Sequence, residues 1–269
     1  MEKTPQERPG DGGAGPRERP AETDESAFFG YRRVAAREKS KLVKDHFDSI
    51  AHKYDFSNTL LSAGIQLFWK RKAVRMLDLR SGDRVIDVCG GTADLAILAA
   101  GRTGPAGKVV LYDVNRAMME TGKPKVRRRA LDDRILYLQG DAEQIAAKKG
   151  KFDAAMVGFG IRNLTHMETG FREMYRVLKP GGKLLCLEFS SPTAPWFRKL
   201  YDFYSFSVMP LVGKVLTGSR RAYTYLPESI RLFPDPDELG ALLERIGFTS
   251  VSYRRLTNGI AVVHLGTKS

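Results

Sequence analysis

Three short segments place carboxylates and glycines at the ends of apolar runs, where they could hold a small ligand. The first reads Asp87-Val88-Cys89-Gly90-Gly91-Thr92-Ala93-Asp94. Gly90 and Gly91 let the backbone pass close to a ligand, and the helix start that follows offers free N–H groups to a negative charge. The second run ends in Leu111-Tyr112-Asp113. Asp113 lies about twenty residues past Gly91, the distance at which a carboxylate accepts both hydroxyls of a ribose. The third, Gln139-Gly140-Asp141-Ala142, sets a carboxylate and a backbone N–H where an adenine presents its amino group and ring nitrogen. Singly, each is an ordinary strand-end segment. In chain order they describe one adenosine site.

Such a site needs strand ends that converge. From Arg84 onward, short β-branched runs alternate with helical patterns: strand Arg84–Val88, helix Asp94–Ala100, strand Lys108–Asp113, helix Arg116–Arg129, strand Ile135–Leu138. A short helix near Glu143, strand Phe152–Gly158, helix Glu168–Leu178 and strand Lys183–Glu188 follow, then helix Pro236–Ile246 and strands Ser250–Arg255 and Ile260–Gly266 around a Thr257-Asn258-Gly259 turn. Right-handed crossovers turn this alternation into an α/β fold, a doubly wound and mostly parallel sheet closed by a C-terminal antiparallel hairpin. Ligands bind such sheets at the carboxyl ends of the strands. The glycine turn lacks the three-glycine spacing of dinucleotide loops, so adenine, ribose and a short tail fit S-adenosylmethionine better than a nicotinamide or flavin cofactor.

The chain of 269 residues is long enough to bury a sizeable core, and its 42% hydrophobic and 28% charged content is globular. No apolar stretch reaches the length of a membrane span. Lys and Arg number 44 against 31 Asp and Glu, a formal net charge of +13 that suits nucleic acid, an anionic membrane surface or an acidic substrate. Cys89 and Cys186 sit inside apolar runs, and the four histidines have no metal-ligand spacing, so a reduced, cytoplasmic, metal-free protein is expected. Residues 1–27, rich in Pro, Gly, Glu and Arg, are expected to be a disordered tail without signal or transit character. Residues 28–269 form a single domain in this reading, with an N-terminal helical cap (41–79) and a substrate-covering insertion (192–230).

Further motifs resemble one family. Tyr54-Asp55-Phe56-Ser57-Asn58-Thr59-Leu60-Leu61-Ser62-Ala63-Gly64-Ile65-Gln66-Leu67-Phe68-Trp69-Lys70-Arg71 is similar to the amino-terminal signature of the ubiquinone/menaquinone biosynthesis C-methyltransferases, departing at Ser57 and Gln66. Arg176-Val177-Leu178-Lys179-Pro180-Gly181-Gly182-Lys183-Leu184-Leu185-Cys186-Leu187-Glu188-Phe189-Ser190 matches their second signature throughout. Gly158-Phe159-Gly160-Ile161-Arg162-Asn163 and Tyr225-Leu226-Pro227-Glu228-Ser229-Ile230 also look like family sequence. The resemblance implies a class I, Rossmann-like methyltransferase. By position it implies cofactor contacts at Thr92, Asp113, Asp141, Ala142 and Gly158, beside Asp87, Gly90 and Gly91 of the glycine turn. Cys89 and Ala93 replace a more usual Ala and Gly, and Ala93 is expected at negative φ in the first helical turn. Leu178 to Gly182 is taken as a helix stop and connector.

The reaction so implied moves a methyl group from a sulfonium to a ring carbon of a polyprenylated hydroquinone, with 2-demethylmenaquinol as first choice and the ubiquinone-pathway benzoquinol as second. An adjacent hydroxyl must lose its proton to make the carbon nucleophilic, so oxidised quinone should be inert. Arg162 is the expected cation beside the ring oxygen, Asn163 the group orienting the ring, and Tyr54 a phenol or aromatic wall. Glu188 ends its strand near the ligand face, and Asp94 either orients the cofactor's amino group or complements the helix dipole. Tyr201 to Val212 would line a groove for the prenyl tail. Arg127, Arg128, Arg129, Lys148, Lys149 and Lys151 would hold the enzyme at an anionic membrane surface. A homo-oligomer remains open. The competing readings are a class I methyltransferase acting on RNA, which predicts an RNA-binding module or base-stacking motif that the sequence does not show, and a non-catalytic scaffold relative, against which the intact Gly90, Gly91, Asp113 and Asp141 speak.

Overall fold

The computed structural model describes Met1 together with residues 25–211 and 220–269. Among these, the strands are β1 (Ser26–Phe29), β2 (Arg32–Ala35), β3 (Arg84–Val88), β4 (Lys108–Asp113), β5 (Ile135–Gln139), β6 (Phe152–Gly158), β7 (Leu178–Phe189), β8 (Phe248–Leu256) and β9 (Ala261–Lys268). The helices are α1 (Ala36–Ile50), α2 (Tyr54–Leu61), α3 (Ile65–Met76), α4 (Asp94–Thr103), α5 (Arg116–Arg127), α6 (Met167–Val177), α7 (Pro195–Phe203), α8 (Arg220–Arg231) and α9 (Pro236–Ile246).

Seven strands form one sheet in the order β5-β4-β3-β6-β7-β9-β8, and β1 and β2 pair separately. The pairs of β3 with β4 and β6, of β4 with β5, and of β6 with β7 are parallel, while β9 runs antiparallel to both its neighbours. This is the expected doubly wound sheet with its antiparallel hairpin. The chain moves outward from β3 through β4 to β5 and returns to β6 on the other flank of β3. That reversal opens a crevice at the carboxyl ends of β3 and its neighbours.

Both faces of the sheet are covered because successive side chains point to opposite sides. Val85, Ala154, Met156 and Leu185 pack with Trp69, Val74 and Leu95 of α3 and α4. Ile86, Ala155, Val157 and Leu184 pack with Phe171 and Met174 of α6 and Leu239 of α9. Helix α9 starts where local chemistry dictates: Asp235 accepts hydrogen bonds from the N–H groups of Asp237 and Glu238, the Glu238 carboxylate accepts one from the N–H of Asp235, and Pro236 occupies the first turn.

Three expectations need correction, and the basic clusters can be placed. Ser26 and Ala27 are not part of a tail but begin β1; the rest of that tail, 2–24, lies outside the described residues. The short helix near Glu143 is absent, and the segment is a series of turns because the Glu143 carboxylate accepts from the N–H groups of Thr165 and His166. Leu178 to Gly182 is not a connector outside the sheet: β7 begins at Leu178, pairs there with Phe152, and shifts register before Lys183, with Gly181 at φ +74°. Arg127–Arg129 and Lys148–Lys151 precede β5 and β6, which puts them at the amino ends of the strands, opposite the crevice.

The hairpin β1–β2 and helices α1 to α3 make the cap. Phe29 and Val34 pack on Val43 of α1 and on Tyr225, and the rings of Phe29 and Tyr225 stack at 4.4 Å. Helix α7 runs on through a π-helical turn at Tyr204–Val208. Val212, the last residue of the groove segment, and the stretch 212–219 of the covering insertion lie outside the described residues.

Candidate active site

The turn after β3 is built on unusual backbone. Cys89 has φ +54°, Gly91 φ +51° and Ala93 φ +71°. The expectation of negative φ at Ala93 is therefore wrong: Ala93 is the left-handed residue that precedes α4, and a Cβ there carries strain on the order of 1 kcal/mol. Gly90 serves a different need. A Cβ on it would lie 2.7 Å from Cγ of Leu111 and 3.2 Å from Cγ of Asp87, so only glycine lets the turn settle on those side chains.

Asp113 ties the turn to the end of β4. Its Oδ2 accepts from the N–H of Gly91 at 2.8 Å and its Oδ1 from the N–H of Asn115 at 2.7 Å. Burial pushes its carboxyl up to about 6, against the pull of those two N–H groups. Asp141 accepts from the N–H of Glu143 and is exposed, beside a buried Ala142. Gly91, Asp113, Asp141, Ala142, Gly158, Asn163 and Tyr54 all line one cavity of about 120 Å3. Three consecutive strand ends thus converge on a single pocket. Helix α1 closes it: Asn115 Nδ2 donates to Asp48 Oδ1 and to the carbonyl of Lys44, while Val43 and Phe47 complete the wall.

Asp87, Gly90 and Thr92, expected in the same set, do not line this cavity. Asp87 is fully buried with neither oxygen hydrogen-bonded, and burial pushes its carboxyl well above the usual carboxylate range. Thr92 donates instead to Asp55 Oδ1 of α2 at 2.6 Å. Asp55 pairs with Lys125 at 2.7 Å, Lys125 with Asp94 at 2.6 Å, and Asp94 with Lys70 at 2.8 Å. Burial alone would raise the Asp94 carboxyl, but the two lysines outweigh it and hold it at about 2. Asp94 therefore fastens the cap helices to the glycine turn, which neither expectation for it foresaw. Gly122 of α5 backs the same turn: a Cβ there would lie 2.8 Å from the carbonyl carbon and oxygen of Thr92. Gly122→Ala should displace the turn and cost about 1–3 kcal/mol in stability, with weaker cofactor binding, as calorimetry with S-adenosylmethionine and thermal melting would read.

A second cavity of about 450 Å3 lies against the first. Its walls are apolar, including Ile50, Trp69, Phe189, Phe197 and Tyr201, with Arg162, His46, Asn58 and Gln66 as polar points. Phe47, Tyr54 and Phe159 line both cavities and form the partition between them. Phe159 is held there at φ +58°. Of the segment expected to line a groove, Tyr201, Tyr204 and Met209 line the larger cavity, together with Phe197 one turn before Tyr201.

Arg162 is buried and committed. Its Nη1 donates to Glu188 Oε2 at 3.0 Å and to the carbonyl of Phe159, its Nε faces Ser229 Oγ at 3.4 Å, and its guanidinium lies 5.5 Å from the centre of the Phe189 ring. Burial raises the Glu188 carboxyl while Arg162 opposes that rise. Glu188 does not line the apolar cavity; it holds Arg162 in place. Asn163 accepts from the hydroxyl of Tyr225 at 2.8 Å and faces the smaller cavity, so the expected role in orienting a ring in the apolar one does not fit its position. Burial pushes the phenol of Tyr54 up to about 12, so it stays protonated and keeps its O–H to donate.

His46 was not singled out by sequence because it belongs to no motif. Its ring lies on the apolar cavity between Phe47 and Tyr225, and burial, helped by the charge of Arg162, brings it down to about 4. It is neutral at pH 7, with a ring nitrogen able to accept a hydrogen bond.

The sheet order and the strand-end pocket define a class I S-adenosylmethionine-dependent methyltransferase. The residues fit that cofactor: the Asp113 carboxylate suits the ribose hydroxyls, and Asp141 with the Ala142 N–H suits the adenine edge. Solved structures share the fold. One is an S-adenosylmethionine-dependent methyltransferase from Aquifex aeolicus (TM-score 0.52, 16% identity, 88% of this chain and 100% of that one). Another is Haemonchus contortus phosphoethanolamine N-methyltransferase 2 with phosphomonomethylethanolamine and S-adenosylhomocysteine (TM-score 0.61, 14% identity, 84% of this chain and 60% of that one). The family model of the ubiE/COQ5 methyltransferases matches residues 34–268, and the chain belongs to that family. The ubiquinone/menaquinone biosynthesis C-methyltransferase UbiE of Pseudomonas paraeruginosa is 42% identical over 92% of this chain and 97% of its own. The same-named protein of Pseudomonas entomophila is 44% identical over 90% and 95%. The chain is an S-adenosylmethionine-dependent C-methyltransferase of the ubiquinone/menaquinone type.

Proposed function

We propose that the enzyme methylates a ring carbon of a polyprenylated hydroquinone, with 2-demethylmenaquinol as the substrate and menaquinol as the product. The observation that carries this reading is the shared wall of Phe47, Tyr54 and Phe159 between the adenosine cavity and the larger apolar one. When bound, S-adenosylmethionine supplies an electrophilic methyl group. The apolar cavity takes the ring and the start of the tail, and the partition residues fix the ring carbon in line with that methyl.

Arg162 makes the ring carbon reactive by favouring loss of the adjacent hydroxyl proton to water and stabilising the oxyanion. Glu188 holds the guanidinium at that station and is a positioning residue. The neutral His46 ring accepts a hydrogen bond from the hydroxyl, and Tyr54, kept protonated, donates to the developing oxyanion. Within this reading Asp87, Gly90 and Thr92 act on the cofactor only through the shape of the turn, and Asn163 acts through Tyr225.

Label from the methyl group of S-adenosylmethionine should enter the ring of reduced naphthoquinol and leave oxidised quinone unlabelled. Equal labelling of the two forms would refute hydroxyl activation. Labelling of the benzoquinol alone would move the substrate to the ubiquinone pathway.

A further inference from the structure

Helix α7 is apolar on two sides. Phe197, Tyr201 and, one turn on, Tyr204 line the large cavity, while Trp196, Leu200 and Phe203 form an outward stripe and are 70%, 56% and 63% exposed. Leu200 belongs to both descriptions, since it lines the cavity and is exposed. The cavity therefore opens through this stripe. The opposite lip is the α2–α3 corner, where the hydroxyl of Tyr204 donates to the carbonyl of Leu61 at 2.6 Å. Phe56 and Leu60, one turn apart on α2, and Phe68 on α3 are exposed as well. A helix face this apolar has no reason to meet water.

Charge on the same helices has one sign. Their acids are Asp55 and Asp202, paired with Lys125 and Arg231. Arg71 and Arg75 of α3 and Arg198 and Lys199 of α7 are exposed, and the ammonium of Lys72 lies 5.7 Å from the centre of the exposed Phe68 ring. Aromatic side chains ringed by cations at the mouth of an apolar cavity match the interface of an anionic bilayer.

We infer that the enzyme docks on anionic lipid bilayers through α7 and the α2–α3 corner, with Trp196 and Phe203 inserted among the acyl chains and the cavity mouth facing the membrane. This inference rests on the polyprenyl-substrate reading for its purpose but not for its test. It also replaces the basic clusters Arg127–Arg129 and Lys148–Lys151, which face away from the cavity, as the membrane contact.

The test is co-sedimentation of the full chain, without substrate, with vesicles of phosphatidylcholine containing or lacking phosphatidylglycerol. Binding should require phosphatidylglycerol, and Trp196→Ser with Phe203→Ser should weaken it by about tenfold or more. Unchanged S-adenosylmethionine affinity will show that the double variant is folded, because neither residue lines a cavity. Charge reversal at Arg127–Arg129 should leave most of the binding intact. Vesicle binding that survives the double variant, or that is lost only on reversal at Arg127–Arg129, would overturn the inference. So would a dimer in sedimentation that the double variant dissociates while vesicles are never bound. If docking behaves as stated but no quinol is labelled, the substrate reading fails and the surface stands.

Discussion

Arg162→Ala should lower turnover by about 100- to 1,000-fold, the loss typical of removing one charged stabiliser of a developing oxyanion. Cofactor affinity should hardly change, because Arg162 lines the apolar cavity and not the adenosine one. Stability will fall too. The substitution strands Glu188, 1% exposed and otherwise held, among the described residues, only by the N–H groups of Arg162 and Phe189, and a buried charge left without its partner costs about 3–5 kcal/mol. Arg162→Ala combined with Glu188→Gln separates the two effects. The pair should recover much of the melting temperature and none of the turnover. Recovered turnover would show that Arg162 matters only as scaffold, and a matched loss of cofactor binding would show that its station is misassigned.

Asp113→Ala should weaken S-adenosylmethionine binding by about 100-fold or more, since two ribose hydroxyls lose a charged acceptor worth about 1.5–3 kcal/mol each. The same carboxylate sets a pH dependence whose sign follows from its environment. In the free enzyme burial lifts it to about 6, so below that pH it carries a proton. Ribose hydroxyls donate to the ionised form, so ionisation favours binding and protonation opposes it. Affinity should therefore be flat above about pH 6 and fall by roughly tenfold for each unit below. Calorimetry from pH 5 to 8 reads both effects, and Asp113→Asn should abolish the break. A break that persists in that variant would assign it to another group.

The strand-end pocket was legible in the chain because its parts are local. Each strand is a short apolar run ending in a carboxylate, and the sheet topology follows from their alternation with helices, so Gly91, Asp113 and Asp141 could be joined before any coordinates. What escaped depends on residues distant in sequence. The hairpin at Ser26–Ala35 buries only Phe29 and Val34 of its apolar side chains, and these pack on Val43 and Tyr225 from distant parts of the chain. Arg162 lies in the turn after β6 and Glu188 at the end of β7, and nothing in their spacing announces an ion pair. Asp94 was placed correctly at a helix start, yet its partners Lys70 and Lys125 come from α3 and α5. His46 lies in an amphipathic helix where a histidine has no periodic signal, and only the docking of α1 turns it toward the ring cavity.

The strap that α1 makes over the strand-end pocket rests on one side chain: Asn115 donates to Asp48 and to the carbonyl of Lys44, and its own oxygen accepts from the N–H of Met118. The roof of the pocket and the first turn of α5 therefore share an anchor, so a change at Asn115 is felt on both at once.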